Sequence, residues 1–271
     1  MLLGGGITNH NVSLVDQGKR YVVRVGEDIL RHQILRSNEQ AVHRAAQAAG
    51  IAPAIVHTEP GILVLDYIDG TTLDEAAVRQ DGMLARIVPL LKRCHVDAMA
   101  HLRGPVLTFW VFHVLRDYAT TLREGNSIHM PRLGDLLHSA GILEAAVGPV
   151  RIVLGHNDLL AANFLDDGAR LWLLDWEYGG FNSPLFDLAG LASNNGLSSA
   201  QERWLLETYF EAPLTDQLHH QYQAMKCASL LRETMWSMVS EIHSDIDFDY
   251  GGYTEKNLTR FKAALSDFQL M

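Results

Sequence analysis

Gly155-His156-Asn157-Asp158-Leu159-Leu160-Ala161-Ala162-Asn163, followed by Asp175-Trp176-Glu177, is the stretch on which the reading of this chain turns. Two short β-like runs, Arg151–Leu154 and Leu171–Leu174, bracket a loop that is the most polar and least periodic of the chain. A loop pinned between strands is a good mount for chemistry. It offers two acids and an amide, Asp158, Asp175 and Asn163. Such oxygens suit Mg2+, which takes one or two carboxylates together with substrate phosphates and water. Asn163 and Asp175 are the expected metal ligands, and Asp158, with His156 two residues before it, is the expected catalytic group, accepting a proton from an attacking hydroxyl.

Outward from this loop the chain changes character. Asn11–Asp16, the turn Gln17-Gly18-Lys19 and Tyr21–Val25 read as a hairpin, with Tyr21, Val23 and Val25 on one face and Arg24 on the other. Ser37-Asn38-Glu39-Gln40 has capping-box spacing and opens a helix carried by Ala41, Val42, Ala45, Ala48 and Ala49 and stopped by Gly50 and Pro53. Ile62–Leu65 reads as a buried strand and Asp69-Gly70-Thr71-Thr72 as a turn, where the domain boundary is placed. From Asp81 onward helices dominate, among them Met83–Ala98, Thr108–Leu122, Ala200–Phe210, Asp216–Ile242 and Glu255–Phe268, with a second capping box at Ser199-Ala200-Gln201-Glu202. The expectation is an α+β chain of two lobes. Residues 1–68 form a small antiparallel sheet that binds nucleotide, and residues 69–271 a larger, mostly helical lobe for catalysis and substrate.

Gly4-Gly5-Gly6-Ile7-Thr8-Asn9 precedes a strand and can lay backbone N–H groups over phosphates. Arg24 can reach the same phosphates, and Glu39 falls in the first turn of the capped helix. Strand cation, helix acid, His-x-Asp loop, an Asn five residues on and a following Asp come in the order of a protein kinase.

With these residues in place, the chain resembles the choline and ethanolamine kinases, grouped with aminoglycoside phosphotransferases under a protein-kinase-like fold. Gly5-Gly6-Ile7-Thr8-Asn9 resembles the family's nucleotide loop, Val23-Arg24-Val25 its third strand, and Gly50-Ile51-Ala52-Pro53 the stretch after its acid-bearing helix. His156-Asn157-Asp158 with Asn163 resembles the Brenner motif, and Asp175-Trp176-Glu177-Tyr178 stands where the choline branch has Asp-Phe-Glu-Tyr. Trp236-Ser237, Ile246–Tyr250, Tyr253 and Arg260-Phe261 resemble the C-terminal stretch of choline kinases. The resemblance implies ATP as co-substrate, bound by Gly6, Thr8, Asn9, Arg24, Glu39 and the backbone around Asp66–Ile68, with Mg2+ on Asn163 and Asp175. It implies a small cationic amino alcohol, choline or ethanolamine, held by Glu177, Tyr178, Trp236, Tyr250 and Tyr253. Methylated ammonium groups cannot donate hydrogen bonds and are recognised mainly over aromatic faces.

Two departures stand out. Arg24 replaces the usual kinase lysine, as in the choline branch, and Glu233 occupies a position where that branch often has a second tryptophan. No Asp-Phe-Gly and Ala-Pro-Glu pair frames an activation segment, so a protein substrate is not expected. The alternatives are a kinase for thiamine, an aminoglycoside or a sugar, or a catalytically silent nucleotide-binding module.

Composition is that of a globular protein. The 271 residues are 48% hydrophobic and 20% charged, and 22 basic against 32 acidic residues give a net charge of −10. That balance disfavours nucleic acid, which needs a clustered cationic face, and welcomes a cationic substrate. Cys94 and Cys227 stand apart and read as reduced core thiols. The opening Met-Leu-Leu-Gly-Gly-Gly lacks the basic start of a signal peptide, and no run is long enough for membrane insertion, so a cytoplasmic protein is expected. A homodimer is left open.

Overall fold

The computed structural model describes residues 2–3 and 10–271, so the expected phosphate loop with Gly6, Thr8 and Asn9 lies outside the described residues. In the first lobe, β1 (Leu2–Leu3), β2 (His10–Asp16), β3 (Lys19–Val25), β4 (Ile55–Glu59) and β5 (Ile62–Asp66) form an antiparallel sheet in the order β1-β2-β3-β5-β4. The β2–β3 hairpin turns on Gln17 and Gly18, both with positive φ (48° and 79°), a geometry whose twist matches the flanking strands. Leu63 is the one buried residue of β5; its neighbours are half-buried, so the strand lies less deep than its apolar run suggests.

Helix α1 (Arg36–Ala48) differs from expectation at its start. Its N-cap is Leu35, without a side-chain cap, and Asp28 from the preceding loop accepts the Arg36 amide at 2.7 Å. Ser37 is thus inside the first turn, and the capping-box spacing there is coincidental. Gly50, at φ 70°, ends the element as expected.

Thr71 and Thr72, read from sequence as part of a turn, are extended. Those residues form β6 (Thr71–Thr72), paired with β8 (Phe164–Asp166), which in turn pairs with β9 (Leu171–Leu173). Between them come α2 (Glu75–Val78), α3 (Asp81–Lys92) with a π-helical continuation over Arg93–Ala98, α4 (Val111–Glu124), α5 (Met130–Val147) and β7 (Val153–Gly155). Then follow β10 (Gly180–Asn182), α6 (Pro184–Asn195), α7 (Ser199–Phe210), α8 (Asp216–His243) and α9 (Tyr250–Gln269). The two expected β-runs are β7 and β9; three-residue strands such as β8 and β10 are too short to show alternation.

Helix α8 is the spine of this lobe, buried along most of its 28 residues and packed against α4, α5, α6 and α9. Helix α7 does carry a capping box, one residue earlier than expected: Ser198 accepts the Gln201 amide, and Gln201 reaches back to the Ser198 amide. The lobes are joined at α1: Asn38 donates to the Gly179 carbonyl at 2.8 Å and accepts the Leu107 amide at 2.9 Å. A Cβ on Gly179 would lie 2.6 Å from Val42 Cγ1, so glycine sets how closely α1 approaches the loop after Asp175. No helix among the described residues is long and apolar enough to cross a membrane.

Candidate active site

The loop leaving β7 is held by one carboxylate. Asp187, in the first turn of α6, accepts the His156 amide at 2.8 Å and the Asn157 amide at 2.7 Å. It also takes a hydrogen bond from His95 Nε2 at 2.9 Å, and His95 Nδ1 meets the Tyr209 hydroxyl at 2.7 Å. Ser183 caps that helix and Pro184 starts it, so Asp187 sits where the helix dipole favours a negative charge. Burial opposes its ionisation, but these donors hold it below the usual carboxylate range. Gly155 is required here, since a Cβ would fall 2.7 Å from Asn157 Oδ1. Asn157 adopts φ 66°, a conformation asparagine tolerates, and is fixed by Nδ2 donating to the Tyr178 carbonyl at 2.9 Å.

His156 is fully buried, with Nε2 at 2.8 Å from the Leu174 carbonyl and Nδ1 accepting the Asp158 amide at 3.3 Å. A carbonyl can only accept and an amide only donate, so the ring is neutral with its proton on Nε2; burial lowers its basicity. Both nitrogens face backbone, which makes His156 a residue that shapes the loop. Asp158 is half-buried. Asn163 Nδ2 donates to the Asp158 carbonyl at 2.9 Å and to its carboxylate at 3.3 Å. Burial, together with Glu233, Asp175 and Glu177, pushes the Asp158 carboxyl up to about 8 despite Arg232 nearby.

Facing it from the first lobe, Arg24 of β3 is buried and pairs with Glu39 of α1 and with Asp175, and Glu177 lies 3.8 Å away. Asp175 has φ 63° and, although burial raises it, Arg24 holds it ionised below the usual range. Arg36 extends the cluster, at 2.6 Å from Glu39 and 3.2 Å from Glu177. Glu177, expected against the substrate amine, is instead buried between the two arginines.

The aromatic residues gather beside Asp158. Trp236 lies 6.0 Å from Tyr250 and 6.4 Å from Tyr253 between ring centroids, and Phe248 packs on both tyrosines. Tyr253 donates to Glu233 at 2.7 Å. Tyr178 joins through its hydroxyl, which accepts the Trp236 Nε1 proton at 3.0 Å, but its ring face is covered by the Arg232 guanidinium at 4.3 Å. It is therefore not an open wall on that side.

Residues 1–204 match the model of the family described as Choline/ethanolamine kinase. The chain belongs to the choline/ethanolamine kinase family. It is 26% identical over 264 residues to Protein LicA of Haemophilus influenzae, covering 94% of this chain and 76% of that one. A probable ethanolamine kinase of Arabidopsis thaliana is also 26% identical, over 290 residues, with coverages of 93% and 75%. Among solved structures, a choline/ethanolamine kinase family protein from Mesorhizobium loti superposes with a TM-score of 0.80 at 26% identity, covering 98% and 91%. LicA in complex with AMP superposes with a TM-score of 0.79 at 26% identity, covering 97% and 90%. The fold is thus kinase-like, and the chain is a phosphotransferase acting on an alcohol.

Four residues of this kinase site escaped sequence reading. Asp187 had a signal, a lone acid in the apolar run Pro184–Ala192. Arg36, three residues before Glu39, had the weaker one of helical spacing, while His95 and Arg232 had none. Cys94, His95 and Asp187 bring potential ligand atoms within 4.8 Å of one another. Burial keeps the Cys94 thiol protonated and both His95 nitrogens are in hydrogen bonds, so this is a hydrogen-bonded core and not a metal centre.

Proposed function

We propose that this kinase transfers the γ-phosphoryl group of ATP to the hydroxyl of choline, giving phosphocholine and ADP, with ethanolamine as the second acceptor. The observation that carries this reading is that Asp158 lies within electrostatic reach both of Asp175 and Glu177 in the Arg24 ion cluster and of Tyr253, whose ring packs with those of Trp236 and Tyr250.

Asp158 orients the acceptor hydroxyl and takes its proton. A carboxyl lifted to about 8 in the free protein is drawn into its ionised, proton-accepting form once positive charge arrives beside it. His156 holds the loop and does not itself touch substrate. Arg24 clamps the nucleotide phosphates, with Glu39 fixing its direction; the loop residues Gly6, Thr8 and Asn9 supply further phosphate contacts. The Asp66 and Tyr67 amides are engaged by the Ala54 and Arg20 carbonyls, which leaves the Ile68 amide and the Asp66 carbonyl for adenine.

The donor set fits Mg2+: Asn163 and Asp175 offer only oxygens, and Asp175 already attracts a cation in Arg24. Asn163 and Asp175 would hold the ion, which when bound neutralises charge on the phosphate oxygens. Trp236, Tyr250 and Tyr253 receive the ammonium, a cation over an aromatic face gaining about 0.5 to 2 kcal/mol. Glu233, which can accept from a primary ammonium, favours ethanolamine as the second substrate.

The test is ADP release with ATP and Mg2+ against choline, ethanolamine, thiamine and kanamycin. Choline is expected to give the highest kcat/KM, and Trp236→Ala to raise the choline KM about tenfold while that of ATP stays unchanged. A choline KM indifferent to Trp236→Ala would discard the ring site, and preferred turnover of thiamine or kanamycin would discard the amino-alcohol acceptor.

A further inference from the structure

One ring packed on the acceptor aromatics comes from the first lobe. Between β3 and α1 the chain makes a closed loop, in which the Ile29 and Ile34 amides each donate to the other's carbonyl, at 2.9 and 3.1 Å. A short helical turn, Leu30–His32, lies inside it, and Gln33 follows at φ 58°. The loop is docked on the second lobe. Gln33 Nε2 donates to Asp117 of α4 at 2.9 Å, and His32, only 6% exposed, reaches both α4 and α8. The His32 ring lies 5.3 Å from that of Trp236 between centroids, tilted by 35°, and 5.8 Å from that of Tyr118.

Both imidazole nitrogens are engaged. Nε2 stands 3.2 Å from Ser240 Oγ, and Nδ1 stands 3.4 Å from the Tyr118 hydroxyl. Ser240 gives its own proton to the Trp236 carbonyl at 3.0 Å, so Nε2 carries the ring proton and Nδ1 accepts. Burial, with Arg232, His243 and Arg31 nearby, pushes His32 down to about 3, and the ring is neutral. A neutral imidazole with neither nitrogen free offers no acid or base to the reaction, but it can fix a neighbouring ring. Tyr250 and Tyr253 meet Trp236 steeply, at 60° and 79°, whereas His32 lies nearest to parallel. Trp236 is thus held at its indole Nε1 by the Tyr178 hydroxyl, at its backbone by Ser240 and against its ring by His32.

We propose that His32 is a positioning residue for the acceptor, its ring backing the Trp236 indole so that the first lobe helps to shape the site that receives the ammonium. The proposal rests on the reading of Trp236, Tyr250 and Tyr253 as that site. His32 touches neither substrate and acts through Trp236. The same loop runs directly into α1, which carries Arg36 and Glu39, so the backing of the acceptor rings and the ion cluster around Arg24 are built on one continuous stretch of chain.

The experiment is steady-state kinetics of the full chain with ATP, Mg2+ and choline, for wild type, His32→Ala, His32→Phe, Trp236→Ala and the double variant His32→Ala with Trp236→Ala. His32→Ala is expected to raise the choline KM about three- to tenfold, with kcat and the ATP KM within about twofold of wild type. His32→Phe, which keeps a ring against the indole, is expected to stay within about twofold of wild type for choline. The double variant should show the choline KM of Trp236→Ala, because removing a support has no effect once the supported ring is gone. A residue that merely packs the lobes together would raise the ATP KM in step with that of choline. That outcome, or multiplied effects in the double variant, or a His32→Phe as impaired as His32→Ala, overturns the proposal.

Should His32→Ala not fold, nuclear Overhauser contacts between the His32 ring and the Trp236 indole of wild type decide. They are expected both in the free protein and at saturating choline, and their loss on adding choline overturns the proposal. Absent choline turnover by wild type would overturn the acceptor reading alone, and the contact between the two rings is then judged by the same signals in the free protein.

Discussion

Asp158 is a carboxyl that the free protein disfavours in its charged form, and two consequences follow at the level of this one residue. Asp158→Ala is expected to lower turnover by about 10² to 10⁴-fold, the usual worth of a positioned base, without lowering the melting temperature. The pH dependence has a definite sign. The folded-state value is raised to about 8, so the protonated carboxyl is the one the fold accommodates, and its contribution to stability is lost as pH rises toward 8. Asp158→Asn, which mimics the protonated form, should therefore gain in melting temperature relative to wild type between about pH 5 and about pH 9. In the same interval kcat/KM for wild type should rise with pH, as the base becomes available. A flat difference in melting temperature would remove the proposed perturbation.

Among the elements, α6 governs the catalytic loop through Asp187. Asp187→Ala would leave the His156 and Asn157 amides and His95 Nε2 without an acceptor, three buried donors at about 1 to 3 kcal/mol each, so a loss of at least about 3 kcal/mol in denaturant unfolding is expected. Asp187→Asn, which keeps the shape, should fold better and lower kcat more than it raises either KM, because the loop and not the ligand sites is displaced. The two helix starts that sequence spacing misplaced, α1 by two residues and α7 by one, give a further check. Ser198→Ala removes the real cap of α7 and should cost about 1 kcal/mol, whereas Ser199→Ala should be close to neutral.

For the whole molecule, the decisive contacts run between the lobes. We propose the boundary after Ile68, since β5 ends at Asp66 and β6 already pairs with β8. Across it, Arg24 and Glu39 from one side meet Asp175 and Glu177 from the other. A ligand bound in that cleft stabilises both lobes together. ATP with Mg2+ at a hundred times its Kd should add about 2.7 kcal/mol, read as a rise in melting temperature. Asp175→Asn should abolish the Mg2+-dependent part of that rise while retaining the part due to nucleotide alone. An equal Mg2+ increment in Asp175→Asn and wild type would remove Asp175 as a metal ligand.

The primary sequence on its own determined whatever a few adjacent residues can encode. The Gln17-Gly18 hairpin, the Gly50 stop and the helical runs of α4, α8 and α9 follow from local conformational preference and periodicity, and the His156–Asn163 loop with Asp175 follows from motif spacing. Periodicity failed where burial is uniform: α6 is apolar on all sides and α5 opens on a proline and contains Gly134 and Gly141, so neither presents a clean stripe. Only the tertiary structure decided which charges meet. Glu177 reads as a substrate ligand until Arg24 and Arg36, far away in the chain, are seen to enclose it; Tyr178 reads as a cage wall until Arg232 is seen to cover it. The physical reason is that a charge buried away from water must find its partner across the fold, and nothing in the neighbouring residues records which partner that is.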